Sequence, residues 1–539
     1  MRTILRWSAF LTVAAAAGCR PEAPCPECGT AVIAAGADAD ILLPALTQGV
    51  GRQVSDQIFL KLADVGLATN TVGDSGFVPR LAESWRFENP LTLVFRLDPR
   101  ARWQDGVPVT ARDVAFTFAA YRDTLLDAPA RPLLADIDSV TVRDERTAVV
   151  HFRRVYPEQF FDATHHVRIL PAHLLDSVPR DRWRTHPFAR TPVGDGPYRL
   201  AGWRPGESIE LAADSTFFQG RPGIGRLIWR IAPDFNAAIT QLIAGEADII
   251  ETIVGEENVE RVKRDSALRL VEYPSPAYAY LGFNLRDPHD LARPNALFGD
   301  RGLRRALALA IDRKALVEAV LGGYGVVPPG PTTPMVSIAD GAPPQLPFDS
   351  AHASRLLDSL GWRRTGDSLR TRDGRRLGFE VLYPSSSGIR QRAAVILQAQ
   401  LRKVGVELRI TPIELNVWLD RARTGRFDAM LGGWQIDLPP SGLRELWGSA
   451  GIGGSNYDRY ASPTFDSLIA RAGAATDPVA ARRLWHQAID TINQDAPAIW
   501  LFSPTMFAGL SRRVANVTIR PDEWWATLWT WQAGRRGSR

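Results

Sequence analysis

Few residues in this 539-residue chain have the type and spacing to do chemistry. The three cysteines, Cys19, Cys25 and Cys28, all lie near the start, so the body beyond Cys28 holds neither a disulfide nor a thiol nucleophile. Cys25 and Cys28 are spaced for a local disulfide, but with no second pair and no nearby histidine they do not describe a structural zinc site. Gly73-Asp74-Ser75-Gly76 has the local look of an activated serine, yet no Ala-His-Cys segment precedes it and a turn is the simpler reading. Neither Gly-x-Ser-x-Gly nor His-Glu-x-x-His occurs, and Gly451 to Gly454 lacks the Lys-Ser or Lys-Thr of a phosphate cradle. His165, His166, His173 and His186 are four of the eight histidines and lie close enough in sequence to raise a metal site. A secreted hydrolase would need a placed nucleophile, base and oxyanion donors. The chain offers no such set, which leaves non-covalent binding as the chemistry to explain.

The start of the chain says where that binding takes place. Arg2 and Arg6, the apolar run Trp7 to Ala17 and the small residues before Cys19 describe a cleaved secretory signal over residues 1–18, too short to span a bilayer as a stable helix. Ala16-Ala17-Gly18-Cys19 resembles the lipobox of bacterial lipoproteins, in which the thiol is diacylated and anchors the mature chain. Ala16 stands where leucine is usual, so cleavage with full secretion is the alternative. The Pro-rich residues that follow read as a tether over 19–35. The net charge of +5 is small for this length and argues against a nucleic-acid partner. Lysine is confined to Lys61, Lys263, Lys314 and Lys403, so arginine carries nearly all the positive charge.

The elements that must position a site are mixed helices and strands. Leu91, Leu93, Phe95 and Leu97 alternate with Thr92, Val94 and Arg96 at the period of a half-buried strand, and Thr110-x-x-Asp113 opens a helix with Val114, Phe118 and Tyr121 on one face. Asp234 caps a helix through Ala238, Leu242 and Ile243, closed by Gly245 and followed by the strand Asp248-Ile249-Ile250. The pattern from Asp300 predicts one long helix through Leu303, Leu307, Ala310, Ile311 and Val317 to Gly322-Gly323. Leu397, Leu401 and Val404 lead through Gly405 into the strand of Val406, Leu408 and Ile410. Asp477-Pro478 begins the last clear helix, before the strand Ala498 to Phe502. Repeated helix, glycine and strand units predict α/β lobes with helix-covered sheets. About 510 residues are too many for one core, so two or three lobes are expected.

Several strings then carry a family resemblance. Pro79-Arg80-Leu81-Ala82-Glu83-Ser84-Trp85, Phe95-Arg96-Leu97, Trp103-Gln104-Asp105-Gly106 and Thr110-Ala111-Arg112-Asp113-Val114 come in order. Gly194-Asp195-Gly196-Pro197-Tyr198, Gly245-Glu246-Ala247-Asp248-Ile249, Tyr280-Leu281-Gly282-Phe283-Asn284 and Arg304-Arg305-Ala306-Leu307 follow. Gly322-Gly323-Tyr324-Gly325, Gly433-Trp434 and Asn456-Tyr457 complete the series. Together, over roughly residues 40 to 510, they resemble the bacterial extracellular solute-binding proteins of family 5, the dipeptide and oligopeptide receptors of ABC importers.

The resemblance implies an α/β, periplasmic binding protein-like two-lobed clamp (class II, cluster C type) with an additional inserted domain. Lobe I would be discontinuous, from residues 36–60, 194–280 and 503–539; the insert would be 61–193 and lobe II 281–502. The chain would cross between lobes near Tyr280 to Asn284 and near Phe502 to Thr505. Such a receptor is no enzyme and takes no cofactor or metal, and the four histidines would then lie on the insert in surface or structural roles. Its partners would be a small peptide or other small solute, the permease subunits of the transporter and, through lipid at Cys19, a membrane; it would work as a monomer in the periplasm or at the cell surface. In peptide-binding members an aspartate a few residues after a Gly-Trp pair meets the ligand's α-amine, and Asp437 holds that position here, with Trp434 as apolar wall and cation-favouring ring. Leu438-Pro439-Pro440-Ser441 departs from the acidic or Asn-containing loop common there, so a nickel chelate, haem, sugar or opine-like solute is the alternative ligand. Trp524, Trp525, Trp529 and Trp531 are expected to pack against lobe I.

Overall fold

The computed structural model describes residues 29–364 and 368–534. Cys19, Cys25 and Cys28 lie outside the described residues, as do the expected signal and most of the expected tether. The tether ends sooner than its expected limit at 35. Thr30–Ala35 is a strand, buried except at its first residue, with parallel neighbours on both sides, Arg226–Ile231 and Ile249–Ile250. Its sequence, Thr-Ala-Val-Ile-Ala-Ala, is the continuous apolar run that such a doubly flanked strand requires.

One twelve-stranded sheet runs through the molecule. From one edge ten of its strands follow in the order Glu407–Ile413, Gly378–Pro384, Ala429–Gln435, Ala277–Phe283, Ala498–Ser511, Ile249–Ile250, Thr30–Ala35, Arg226–Ile231, Ser208–Ala213 and Tyr198–Arg204, and the other two, Leu268–Pro274 and Gly325–Val326, pair with Ala498–Ser511. Ala498–Ser511 joins the halves. Its beginning pairs with Ala277–Phe283 up to Phe502, opposite Ala279, and its remainder from Thr505 pairs with Leu268–Pro274. Pro504 sits where the partner changes, and Pro274 and Pro276 sit at the facing step. Proline has no N–H to give to a ladder, so these residues thin the hydrogen bonding where the sheet turns from one lobe to the other, although Pro274 still faces Thr505 and Pro504 faces Gly325. The two crossings touch: Ser503 Oγ donates to the Ala277 carbonyl at 2.8 Å.

The second crossing is where the sequence places it, near Phe502 to Thr505. The first is not. Tyr280 to Phe283 belongs to a strand fully paired with Ala429–Gln435, Asn284 follows directly, and the chain passes between lobes at Ser275-Pro276 instead. The tyrosine-rich string marks the lobe II core, and the prolines just before it mark the step.

A separate four-stranded antiparallel sheet, ordered Ala82–Asn89, Thr92–Leu97, Thr147–Phe152 and Ile137–Asp144, forms the insert with the helix Ala111–Arg122. Asp113 accepts from the Thr110 backbone N–H at 2.8 Å, the capping box expected from the sequence. The long helix expected from Asp300 is two helices, Arg301–Ala310 and Arg313–Leu321. Asp312 breaks it: its Oδ1 accepts from Ala315 N at 3.0 Å and caps the second segment, leaving Ile311 extended. Apolar periodicity passes through this break unchanged, which is why the pattern does not reveal it.

The C-terminal tryptophans pack as expected. Trp524 and Trp531 are buried, and Trp529 meets Phe217 edge-on at 5.6 Å. Among the described residues no helix is long and apolar enough to cross a membrane.

Candidate ligand-binding site

In lobe II, Gly378–Pro384 runs parallel to both Glu407–Ile413 and Ala429–Gln435, so their carboxyl ends share one edge. Open α/β sheets bind ligands outside that edge. Three loops leave it, at residues 385–388, 414 and 436–442, and the last carries Asp437. Its start is fixed to the lobe crossing, since Ile436 N donates to the Pro276 carbonyl at 3.0 Å.

The strand beneath is built for close approach. A Cβ on Gly432 would lie 2.5 Å from the Tyr280 ring, and one on Gly433 would lie 3.0 Å from the Tyr278 carbonyl and 3.1 Å from Arg390 Nη2. Only glycine lets these layers meet. Behind them is a rigid aromatic wall in which Trp447 meets Trp500 at 4.6 Å and Tyr280 at 5.2 Å, both edge-on. Trp447 Nε1 donates to the Tyr278 hydroxyl at 2.9 Å, and Trp500 Nε1 to Asn493 Oδ1 at 2.8 Å, so the polar ends of the wall are satisfied. Trp434 is half-buried in front of it, its ring 5.1 Å from Tyr457.

Asp437 is exposed three residues on, and its side chain makes no hydrogen bond or ion pair with any described residue. Asp437 and Trp434 therefore share one strand end, as the sequence suggested. Two further groups carry no sequence signal. Arg390, on the first turn of Gly388–Lys403, is one of sixty arginines and nothing in the pattern singles it out. Glu158 belongs to the insert, yet it accepts a hydrogen bond from Ser441 Oγ of the Asp437 loop at 2.9 Å. Burial lifts the Glu158 carboxyl to about 7, with Asp162 adding to the rise and Ser441 and Arg154 opposing it.

The insert and lobe II also meet where Thr69 Oγ1 donates to the Met335 carbonyl at 2.8 Å. Beside this contact lies a cavity of about 400 Å³ lined by Asn70, Val72, Ile338, Pro440 and Trp485 among others. The cleft thus lies between lobe II on one side and the insert with lobe I on the other.

The four histidines do not converge. His165 stacks on Phe161 at 4.5 Å, His166 faces Asp162, His173 binds Asp105 at 2.7 Å, and His186 Nδ1 accepts from Phe188 N at 3.2 Å. Asp64, His165 and Glu523 do bring ligand atoms within 4.8 Å of one another, as a metal site would. The Lys61 ammonium already lies between the carboxylates, 2.6 Å from Glu523 Oε2 and 3.1 Å from Asp64 Oδ1, and Arg168 and Arg520 also reach Glu523. This group is a buried ionic hub joining insert to C-terminal segment. Burial works to raise the Glu523 carboxyl, but Lys61, Arg168, His165 and Arg520 together hold it well below the usual range.

A sheet crossed twice by its chain, with a glycine-lined aromatic floor and an unengaged carboxylate at the cleft edge, defines a two-lobed solute-binding clamp. The chain belongs to a named family of such proteins: residues 76–454 match the family described as bacterial extracellular solute-binding proteins, family 5 middle. It is 26% identical to the oligopeptide-binding protein AppA of Bacillus subtilis (strain 168) over 83% of each chain. It is 30% identical to protein XP55 of Streptomyces lividans over 83% of this chain and 78% of that one. In fold it is similar to the crystal structure of the ABC transporter substrate-binding protein CtaP of Listeria monocytogenes, with a TM-score of 0.78, 22% identity and coverage of 94% and 99%.

Proposed function

We propose that this protein is the extracytoplasmic receptor of an ABC import system, capturing peptides between its lobes and passing them to a membrane permease without chemical change. The observation that carries the reading is Asp437, an exposed carboxylate with no partner among the described residues, placed beside an aromatic floor at the cleft edge. An enclosed peptide brings an ammonium that must be paired once water leaves, and Asp437 with Trp434 offers charge and ring face for it. The two touching crossings supply the hinge. A ligand that contacts both sides only when they approach shifts the population toward the closed form by its differential affinity. Lipid at Cys19 would hold the receptor, as a monomer, at a membrane near its permease.

The reading is tested by identifying solute retained on natively purified protein by mass spectrometry, then titrating synthetic versions while recording small-angle scattering. Peptides should be recovered, should raise the melting temperature and should compact the particle. Recovery of a haem, metal chelate or sugar instead would overturn the peptide assignment. For the anchor, Cys19→Ala should release the protein from membranes or leave an uncleaved precursor; wild-type fractionation of that variant would refute lipidation.

A further inference from the structure

The cavity of about 400 Å³ where the insert meets lobe II belongs to neither body alone. Ala68, Val72 and Gly76 line it from the insert, and Ile338, Pro440 and Trp485 from lobe II; among the described residues lobe I lends it none. It is therefore distinct from the cleft-edge site, with which it shares the loop that carries both Asp437 and Pro440. Protein interiors keep few voids larger than a water molecule, and an apolar cavity of about 150 Å³ already admits benzene, so this one has room for a ring with a short arm. Its one charged lining residue is Arg482, with no carboxylate beside it among the described residues. The ion-pair partner of Arg482, Asp340, is 3.6 Å away, beyond hydrogen-bond range, on a side chain 90% exposed. A pair so loose and so wet gives way to a better anion at little cost. Trp485 is buried, and its indole N–H has no hydrogen-bond partner. Idle indole N–H groups recur at Trp103 and Trp418, so the adjoining space, and not the N–H, sets Trp485 apart. A second cavity of about 540 Å³ adjoins the first through Val479 and Arg482, and Val479 is 78% exposed, which gives a way in from the surface.

We propose that this cavity is a second binding site, which takes a small apolar molecule carrying one carboxylate and thereby holds the clamp closed. The carboxylate meets the planar fork of Arg482, and the apolar body packs among Val72, Ile338, Pro440 and the Trp485 ring. The lining is split between two bodies that the closed form holds together, through Thr69 Oγ1 to the Met335 carbonyl at 2.8 Å and Ser441 Oγ to Glu158 at 2.9 Å. Opening separates the two halves of the site. A molecule seated there binds the closed form and not the open one, so it shifts the population toward closure. By linkage, it and the transported solute tighten each other's binding by the same factor. The inference rests on the clamp reading of the protein and not on the solute being a peptide.

The test uses phenylacetate, a ring with one carboxylate arm, and its neutral amide, by calorimetry on the full mature chain. Phenylacetate should bind with a dissociation constant of about 1 mM or below, about tenfold or more tighter than the amide. Arg482→Gln, a change on an exposed side chain, should remove that preference. Phenylacetate alone should compact the particle in small-angle scattering, and it should tighten binding of a mixed tripeptide library about fivefold or more. No binding, equal binding of acid and amide, or a preference kept by Arg482→Gln overturns the site. Competition between phenylacetate and the library also overturns it, because the probe then sits in the solute cleft. Binding with neither compaction nor coupling overturns the closing role. If no library member binds, the peptide reading fails and the site is judged on compaction by phenylacetate. Compaction by the library with none by phenylacetate leaves the clamp standing and overturns this inference alone.

Discussion

At the scale of single residues, the site is defined by which charges the fold leaves idle. The chain carries 59 acidic and 64 basic residues, and most charged groups near the core are engaged. Among the described residues Glu145, Asp181, Glu257, Glu272 and Asp373 are also unengaged, and Asp437 is set apart from them by its place beside the aromatic floor. Asp437→Asn keeps shape and hydrogen bonding while removing the charge. Loss of a desolvated charge partner costs about 2 to 5 kcal/mol in binding, against under about 1 kcal/mol for a screened surface carboxylate. The melting temperature of the free protein should stay within about 1 °C of wild type, because the partner arrives with the ligand. Calorimetry with a free and an N-acetylated peptide checks this: wild type should prefer the free amine and the variant should not. The position of Asp437 and Trp434 at one strand end was legible because a short ordered string fixes it; their contact with a ligand belongs to the proposal. The position of Arg390 against Gly433 was not, since a residue type used sixty times carries no information until the fold shows which copies lie at this edge.

Among elements, the contact of the insert with the Asp437 loop is the one that opening of the proposed clamp would break. Glu158 and Ser441 lie on opposite sides of the cleft, so opening returns the Glu158 carboxyl to water and toward its ordinary value of about 4.3. In the closed form burial lifts it to about 7. The closed form therefore holds the extra proton between those values, and closure weakens as pH rises from about 4.3 to about 7, by on the order of 1 to 3 kcal/mol in full. Peptide affinity should fall roughly tenfold or more from about pH 5 to about pH 8, and Glu158→Gln should flatten the profile; a wild-type profile already flat would show that closure does not bury this group. The elements themselves were largely readable. The capping box at Thr110, the glycine stop at Gly405 and the proline start at Pro478 put local chemistry in the sequence, and the structure has each. The break at Asp312 was missed because apolar periodicity runs on through it, so only the competing cap marks it, whereas the crossing at Ser275-Pro276 is marked by its flanking prolines and was passed over for the family string that follows them.

For the whole molecule, the hub around Glu523 decides whether insert and lobe I act as one body. Lys61 contacts it from the insert's start, Arg168 from the insert's far end and Arg520 from the C-terminal segment. Glu523→Ala removes the carboxylate these three buried cations share, although Lys61 keeps Asp64, Arg168 keeps Asp56 and Arg520 keeps Asp522, and should cost about 1.5 to 3 kcal/mol, read as a lower urea midpoint. Because the Glu523 carboxyl is held well below its ordinary value, its contribution is present above about pH 4.3 and is lost as the pH falls through the folded value. Acid unfolding should accordingly begin at a higher pH once a second hub carboxylate, Asp64, which burial raises but Lys61 and Arg520 pull down to about 2, is replaced by Asn. The position of Thr30–Ala35 has a consequence of another kind. This strand is made first, but the strand beside it at Ile249–Ile250 is made much later, and Arg513, which binds both the Thr30 carbonyl and Asp248, comes almost last. During synthesis the opening segment must wait, unplaced, for nearly the entire chain. A nascent chain stopped short of residue 513 would carry lobe II finished and lobe I still open, so the molecule reaches its working shape only after its final turns have been delivered.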